Sequence, residues 1–331
     1  MDDPVQDIER AGETLRHVEE QISKRIVGQR EVVRLALTAI LSGGHALLVG
    51  VPGLAKTRLV ETLGTVLGLP NSRVQFTPDL MPADILGAEV LETGSDGSRE
   101  FKFIPGPVFT SLLMADEINR ASPRTQSALL QAMQEHQVTV AGESRSLGEP
   151  FHVLATQNPI EQEGTYPLPE AQLDRFLLQI DIDYPARDEE RAILIATTGA
   201  SDAQSEPVLD SAGLVALQTL VRIMPVGEQV TDAILTLVRS ARPDEPEAID
   251  SARTRLAWGP GPRAAQALML AVRARALIDG RLAPTIEDVV ALAHAALQHR
   301  MALTFAARAE GARLRDVIDD LVRQISLEQA A

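Results

Sequence analysis

The stretch Ala46-Leu47-Leu48-Val49-Gly50-Val51-Pro52-Gly53-Leu54-Ala55-Lys56-Thr57 decides the fold of this chain. Its four leading apolar residues predict a buried strand, a loop containing Gly and Pro follows, and Lys-Thr opens a helix that runs through Leu67. The backbone N–H groups of such a loop and the positive end of the helix converge on one place, where they favour an anion. The stretch therefore predicts a phosphate-binding loop.

The candidate nucleotide-binding residues of this loop are Gly50, Val51, Pro52, Gly53, Leu54, Ala55, Lys56 and Thr57. The ammonium group of Lys56 can reach the β- and γ-phosphates, and the hydroxyl of Thr57 can ligate Mg²⁺. The spacing G-x-x-x-x-G-K-[ST] holds from Gly50 to Thr57, although Ala55 stands where the second Gly is expected. A strand–turn–helix corner with a chance Lys-Thr pair would give the same pattern.

A second apolar run, 111–115, ends in the acid pair Asp116-Glu117. Because the carboxyl ends of parallel strands gather at one edge of a sheet, we expect this pair beside the phosphate loop. Asp116 would hold Mg²⁺ near Thr57, and Glu117 would orient and deprotonate a water for attack on the γ-phosphorus. A solvated helix start would also favour two acids, but the pairing with Lys56 upstream favours a nucleotide site.

Composition limits the classes of protein to which the chain can belong. Its 331 residues are enough for two domains, and the absence of cysteine excludes disulfides and thiolate chemistry. No apolar run approaches the roughly 20 residues of a membrane span, and no signal peptide is visible, so we expect a cytoplasmic protein. The net charge of −15 repels phosphate backbones, which makes nucleic acid an unlikely partner.

Strands and helices alternate between Ala46 and about Tyr184. The apolar runs 46–49, 112–115, 151–155 and 177–182 predict strands, and Val74–Phe76 is a further candidate. This alternation predicts a parallel sheet covered on both faces. Two β-hairpins interrupt it, one around Gly94-Ser95-Asp96-Gly97 and one around Ala141-Gly142-Glu143.

The region after Ala186 shows a different pattern, without a convincing strand. Helical periodicity covers six segments, at about 187–198, 210–222, 228–240, 263–279, 285–301 and 312–327. We therefore predict two domains: an α/β nucleotide-binding domain with an N-terminal helix over residues 1–185, and an all-helical lid domain over residues 186–331.

Three further polar residues follow the order expected of a phosphoryl-transfer site. Asn158 lies in the polar residues that follow the predicted strand 151–155, where its amide could position the attacking water. Arg175 lies near the edge of the α/β domain, and Arg263 lies at a helix start in the lid domain. Phosphoryl transfer builds charge on the γ-phosphate oxygens, which an Arg guanidinium stabilises.

With these residues in place, the chain resembles the AAA+ ATPases, and among them the MoxR family, from about Ile26 to Arg300. The matching stretches are Ile26-Val27-Gly28-Gln29, GVPGLAKT (50–57), LMADEINRA (113–121), ATQNP (155–159), YPLPEAQLDRF (166–176) and GPRAA (261–265). Phosphate loops of this family commonly carry Ala at the place of Ala55. The family usually has Ser-Pro before the last arginine, where this chain has Gly-Pro.

The resemblance implies a role for each matching residue. Asn158 is the sensor-1 residue, Arg175 the arginine finger that acts on a neighbouring subunit, and Arg263 the sensor-2 residue. Val27 and Gly28 border the adenine. The two hairpins correspond to the helix-2 insert and the pre-sensor-1 hairpin. The family implies ATP and Mg²⁺ as cofactors and a homo-oligomer, in our prediction a hexameric ring. It also implies a protein partner, often one with a von Willebrand A domain.

The leading function is therefore Mg-dependent ATP hydrolysis by an oligomeric, chaperone-like machine that remodels or matures a protein partner. A metal-chelatase or nucleic-acid motor subunit of the same clade is one alternative. A nucleotide-switched binding module with little turnover is another, and the presence of Glu117 argues against it. Stimulation of ATPase activity by DNA or by a protein partner would separate a nucleic-acid motor from the leading function.

Overall fold

The computed structural model describes residues 4–93, 98–161, 164–198 and 204–330. Its strands, in chain order, are β1 (Ala46–Gly50), β2 (Asn71–Gln75), β3 (Gly87–Thr93), β4 (Arg99–Pro105), β5 (Leu112–Asp116), β6 (Gln137–Val140), β7 (Glu143–Ser146), β8 (His152–Gln157), β9 (Leu178–Ile182), β10 (Leu256–Trp258) and β11 (Ala302–Leu303).

Helices occupy most of the remaining described residues. They are α1 (Pro4–Ser23), α2 (Arg30–Leu41), α3 (Lys56–Val66), α4 (Pro82–Leu86), α5 (Pro123–Glu135), α6 (Glu170–Leu173), α7 (Arg187–Thr198), α8 (Ser211–Ile223), α9 (Glu228–Ser240), α10 (Asp250–Arg255), α11 (Pro262–Ile278), α12 (Ile286–Leu297), α13 (Phe305–Ala309) and α14 (Leu314–Ala330), with short 3-10 helices at Ile118–Arg120 and Gln298–Arg300. Local chemistry sets several starts: Ser122 caps α5 ahead of Pro123, and Thr285 with Asp288 forms a capping box on α12.

Five strands form one parallel sheet in the spatial order β2–β5–β8–β1–β9. Successive residues of a strand face opposite sides, so the sheet carries an apolar core on each face. Leu48 and Leu154 belong to the core shared with α1–α3 and the later helices, whereas Leu47 and Ala155 belong to the core shared with α5. The predicted α/β fold with a doubly covered parallel sheet is confirmed.

Both predicted hairpins form two-stranded antiparallel pairs. β6 pairs with β7 through Ala141 and Gly142, which both have positive φ angles (52° and 88°). β3 pairs with β4 from Gly87 to Thr93, and its predicted turn at Gly94–Gly97 lies outside the described residues. Along the chain, β3 and β4 lie between β2 and β5, and β6 and β7 lie between β5 and β8, so each hairpin is an insertion in the α/β core.

The helical region after Ala186 contains one feature that the periodicity does not show. β10 and β11 form a short antiparallel pair in which Leu256 lies opposite Leu303. Strands of three and two residues are too short to produce an alternating pattern, and only the packing of distant segments brings them together. The predicted helices of this region are otherwise present, with α8, α9 and α11 within a residue or so of the expected bounds.

The helical region packs directly on the α/β core. The backbone N–H of Val208 donates to Val66 O at 2.8 Å, and Gln218 Nε2 donates to Ile40 O at 2.9 Å. The division of the chain at residue 185 stays a prediction. Among the described residues, no helix is both long and apolar enough to cross a bilayer.

Candidate functional site

The phosphate loop connects β1 to α3 at the carboxyl edge of the sheet. Gly53 has φ +89°, and Ala55 lies in the left-handed region at φ 56° and ψ 22°. A Cβ on Gly53 would meet nothing within 4 Å, so backbone conformation, not space, favours glycine there. Ala55 takes the conformation that glycine adopts easily, at a cost of about 1–2 kcal/mol. The departure from the usual motif therefore does not interrupt the loop.

Lys56 begins α3 with its ammonium group folded back onto the loop. Its Nζ donates a hydrogen bond to Gly50 O. Burial lowers the pKa of Lys56, and the carboxylates of Asp116, Glu117 and Glu161 oppose that shift. Lys56 follows β1 and the acid pair ends β5, so both lie at the same edge of the sheet, with β8 between their strands.

Asp116 ends β5 with both carboxylate oxygens engaged. Oδ1 accepts a hydrogen bond from Thr156 Oγ1 at 2.5 Å. Oδ2 accepts from Arg73 Nη2 at 2.6 Å and from Arg73 Nε at 3.2 Å. The side chains of β2 and β8, the two strands that flank β5, therefore set the orientation of this carboxylate.

Glu117 is held in the left-handed region, with φ 56° and ψ 50°. Its backbone N–H donates to Thr156 Oγ1 at 2.8 Å, so one hydroxyl serves both acids. Its Oε2 accepts from Gln75 Nε2 at 2.8 Å and from Arg120 Nη1 at 3.0 Å. The amide of Gln75 and the guanidinium of Arg120 thus orient the carboxylate of Glu117, the predicted general base.

Sequence reasoning missed Arg73, Gln75, Arg120 and Thr156. Arg73 and Gln75 are two residues apart on β2 and so project from the same face, while Val74 between them is buried in the opposite core. The polar–apolar–polar alternation in 73–75 and the threonine within an apolar strand were the available signals. Neither signal predicts a contact with the acid pair until β2 and β8 are known to flank β5.

Asn158 lies directly after β8, at the same edge of the sheet as the phosphate loop and the acid pair. It is buried, and its Oδ1 accepts from the backbone N–H of Ile160 at 3.1 Å. Because β8 lies between β5 and β1, this position separates the acids from the phosphate loop. The strand order therefore places Asn158 between the acid pair and the phosphate loop, and its contact with a γ-phosphate stays a prediction.

Val27 and Gly28 line a cavity of about 490 Å³ together with Ile26, Arg30 and Val33. The next residue, Gln29, joins this segment to the phosphate loop, because its Nε2 donates to Leu54 O at 3.5 Å. Gly28 has φ +69°, and a Cβ there would approach the side chain of Glu189 to 3.3 Å. The lining of this cavity is mixed: Ile22 adds to its apolar part, and the polar side chains are those of Arg16, Glu19, Glu20, Ser23 and Arg30.

Arg175 and Arg263 lie together, but at the opposite end of the sheet. Both line a cavity of about 270 Å³ beside Gly43 and Gly44, which precede β1. Arg175 also precedes β9, whose far end, Ile182, pairs with Gly50. The strand alone spans about 13 Å, so neither arginine reaches the phosphate loop of its own chain.

Oxygen donors are the ligands that Mg²⁺ prefers, and the loop supplies them. The hydroxyl of Thr57 and the carboxylate of Asp116 lie at the same edge of the sheet and fit this ion. Among the described residues, no group of three or more His, Cys, Asp or Glu side chains could hold a metal by itself.

Comparison with protein families identifies both parts of this architecture. Residues 45–178 match the family described as "ATPase family associated with various cellular activities (AAA)". Residues 250–321 match the family described as "AAA lid domain". The first match contains the phosphate loop, the acid pair, Asn158 and Arg175, and the second contains Arg263.

Individual proteins are similar over nearly the whole chain. Chaperone MoxR1 of Mycobacterium tuberculosis is 41% identical over 309 residues, which cover 93% of this chain and 81% of that protein. Protein MoxR of Paracoccus denitrificans is 31% identical over 87% of this chain and 88% of its own. A crystal structure from Cytophaga hutchinsonii superposes with a TM-score of 0.87 at 35% identity, covering 96% of each chain. The chain therefore belongs to the MoxR family of AAA+ ATPases.

Proposed function

We propose that this chain hydrolyses ATP with Mg²⁺ in a homo-oligomeric ring, and that turnover remodels a protein partner. The observation that carries the proposal is the separation of the site into two halves. The phosphate loop and acid pair lie at one end of the sheet, and Arg175 with Arg263 lies at the other. A complete phosphoryl-transfer site then needs two neighbouring subunits.

The first half would bind and attack the nucleotide. Loop N–H groups and the ammonium of Lys56 would hold the phosphates. Thr57 and Asp116 would hold Mg²⁺, which neutralises charge on the β- and γ-oxygens. Glu117 would take the proton of the water that attacks the γ-phosphorus, and ADP would leave. Asn158 would position that water, and Gln75 with Arg120 would aim the Glu117 carboxylate.

The second half would stabilise the charge that builds on the γ-phosphate oxygens. Arg175 forms no hydrogen bond or ion pair with another described side chain, and it is half-buried. Arg263 is about half exposed and lies 3.8 Å from Asp174. Both guanidinium groups therefore remain available to the phosphates of a neighbouring subunit. On this proposal the sensor-2 arginine acts between subunits together with the finger.

The partner class follows from the family rather than from the site. A relative carries the name chaperone, and the net charge of −15 disfavours nucleic acid as the client. We propose a protein client, with a von Willebrand A domain protein as the first candidate, and a hexamer as the first ring size to test.

Mixing two inactive variants tests the divided site. Arg175→Ala should bind Mg-ATP but hydrolyse it about 10³–10⁵-fold more slowly, as expected for a lost arginine finger. Lys56→Ala should keep the finger but bind no nucleotide. Mixed oligomers should regain part of the ATPase rate, because the first variant supplies bound ATP and the second supplies Arg175. Arg263→Ala should replace Arg175→Ala in this assay with the same outcome.

Fluorescent labels on the two variants should confirm subunit exchange. The ATPase rate should then be highest at an intermediate mixing ratio. A rate that equals the sum of the separate variants at every ratio, despite exchange, would contradict catalysis by a neighbouring arginine.

A further inference from the structure

Three consecutive residues after α12, 298–300, donate hydrogen bonds to the segment 174–179, which contains Arg175. Gln298 Nε2 donates to Gln179 O at 3.2 Å, and His299 Nε2 donates to Phe176 O at 3.0 Å. Arg300 reaches the same segment with all three of its guanidinium nitrogens. The helical region is thus hydrogen-bonded to residues on both sides of Arg175.

Arg300 makes the densest contacts of the three. Its Nε donates to Asp174 Oδ1 at 2.7 Å, and its Nη2 donates to Phe176 O at 2.6 Å and to Asp174 O at 3.4 Å. Its Nη1 donates to Leu177 O at 3.1 Å and to Ala296 O at 2.5 Å. The one acceptor within its own helical region is therefore Ala296 O, and every other acceptor belongs to 174–177.

The side chain of Arg300 is 3% exposed, whereas Arg175 beside it is half-buried. A buried guanidinium is tolerated only when it is paired and its donors are satisfied, as they are here. Asp174 supplies the opposite charge, and its other oxygen faces Arg263 at 3.8 Å. One carboxylate therefore lies between the buried arginine and the second arginine of the proposed site.

We propose that Arg300 is a positioning residue for the arginine finger: it locks the backbone around Arg175 to the helical region of the same chain. This proposal rests on the divided site described above. The guanidinium of Arg175 has no partner of its own among the described residues, so its direction depends on the backbone of 174–177. Four of the five hydrogen bonds of Arg300 fix that backbone and the Asp174 carboxylate.

The hydrogen bonds of Arg300 also couple the position of Arg175 to that of the helical region. Because Arg263 lies in the first turn of α11 and Arg300 follows α12, a movement of the helical region would carry both arginines and Asp174 together. Contact between Arg175 and the nucleotide of a neighbouring subunit would therefore be coupled to the position of the helical region in the chain that contains Arg175.

Arg300→Lys tests the lock while keeping the charge. Lysine cannot reproduce the planar fork that reaches several acceptors at once. We expect kcat of the variant to fall about 10²-fold with KM for ATP unchanged, since a small displacement of a positioned group can cost that much. The matched control is Arg281→Lys, which breaks the pair with Asp288 (2.6 Å) in the same helical region without touching 174–179. Its kcat should stay close to that of the unmodified chain, because the side chain of Arg281 makes its hydrogen bonds to Asp279 and Asp288 and not to 174–179.

Placing the substitution in one partner of the mixing assay separates positioning from general damage. Arg300→Lys added to the Lys56→Ala chain, which donates the finger, should abolish the regained activity. The same substitution added to the Arg175→Ala chain, which donates the nucleotide, should leave it unchanged. Thermal unfolding of both double variants, beside the Arg281→Lys doubles, checks that each chain is folded. Arg300→Met serves as the second variant if the lysine at 300 prevents folding.

Each outcome decides between the two proposals. If the parent mixture of Arg175→Ala and Lys56→Ala regains no activity, the divided site is wrong and the positioning role fails with it. If the parent mixture regains activity but both placements of Arg300→Lys lose it equally, or neither loses it, the divided site stands and the positioning role is overturned.

Discussion

Thr156 shows how much a single hydroxyl can organise. It donates to Asp116 Oδ1 and accepts the backbone N–H of Glu117, and it is fully buried between β5 and β1. The two acids are consecutive, yet their side chains need different directions. A hydroxyl, which can donate and accept at once, is the smallest group that can hold both.

Thr156→Val should therefore damage both stability and catalysis. Valine has the same shape but leaves the N–H of Glu117 without a partner, which costs about 1–3 kcal/mol. The loss should appear as a lower urea midpoint with an unchanged m-value. We also expect kcat to fall while Mg-ATP binding measured by calorimetry is kept, because the phosphate loop is untouched.

Thr156→Ser is the control, since it keeps the hydroxyl and loses only a methyl group. Its kcat should stay near that of the unmodified chain. If Thr156→Val turns over ATP at the normal rate, the hydroxyl does not orient the acids during catalysis.

Helix α1 meets the turn after α11 at a pair of glycines. A Cβ on Gly12 would lie 2.7 Å from the Cα of Gly280, which follows α11 and has φ +68°. Arg34 from α2 adds an ion pair to Asp279 at the same place. The N-terminal helix is thus packed against the helical region through backbone contact, which only glycine permits.

Gly12→Ala should destabilise the chain, although alanine normally stabilises a helix by about 0.5–1 kcal/mol relative to glycine. The added methyl must push α1 away from α11, and such overpacking costs about 1–3 kcal/mol. Urea unfolding should therefore show a net loss of about 1–2 kcal/mol. Glu13→Ala, on the exposed side of the same helix, should change the free energy of unfolding by less than about 0.5 kcal/mol. A more stable Gly12→Ala chain would show that the helices can separate at no cost.

Buried neutral histidines give the whole molecule a pH dependence. Burial lowers the pKa of His45 to about 3 and that of His152 to about 4. His136 adds repulsion to both, and burial with the nearby Arg300 lowers the pKa of His299 well below its usual range. Each ring is hydrogen-bonded as a neutral imidazole; His152, for example, contacts Gly44 O through Nδ1 at 2.8 Å.

Stability should fall as the pH drops below about 6.5. Between that value and the folded pKa values the unfolded chain binds more protons, so the free energy of unfolding rises with pH. Each histidine can contribute up to about 1.4 kcal/mol per pH unit in this window. Urea unfolding at pH 7.5, 6.0 and 5.0 should show the loss, and His152→Gln should reduce its slope. The exposed His17→Gln should leave the slope unchanged, and an equal slope in all three proteins would contradict this origin.

The local motifs were readable from the chain because their residues are neighbours. The strand, loop and helix of 46–67 and the acid pair 116–117 each lie within one continuous segment, so apolar pattern and spacing specify them. The parallel sheet also followed, because strands that alternate with helices must run in the same direction and bring their carboxyl ends to one edge. The left-handed backbone conformation of Ala55 could not be predicted from the sequence pattern, since alanine disfavours positive φ angles.

Contacts between segments that are distant along the chain could be identified only from the tertiary structure. Arg73 and Thr156 hold Asp116 only because β2 and β8 flank β5, and strand order depends on the packing of the whole sheet. The motif pattern named Arg175 and Arg263, but only the course of β9 and their shared cavity show that they lie at the other end of the sheet from the chain's own phosphate loop. Arg300 and Asp174 are 126 residues apart. No local spacing predicts such a pair, because burial of the helical region against the sheet brings its two members together.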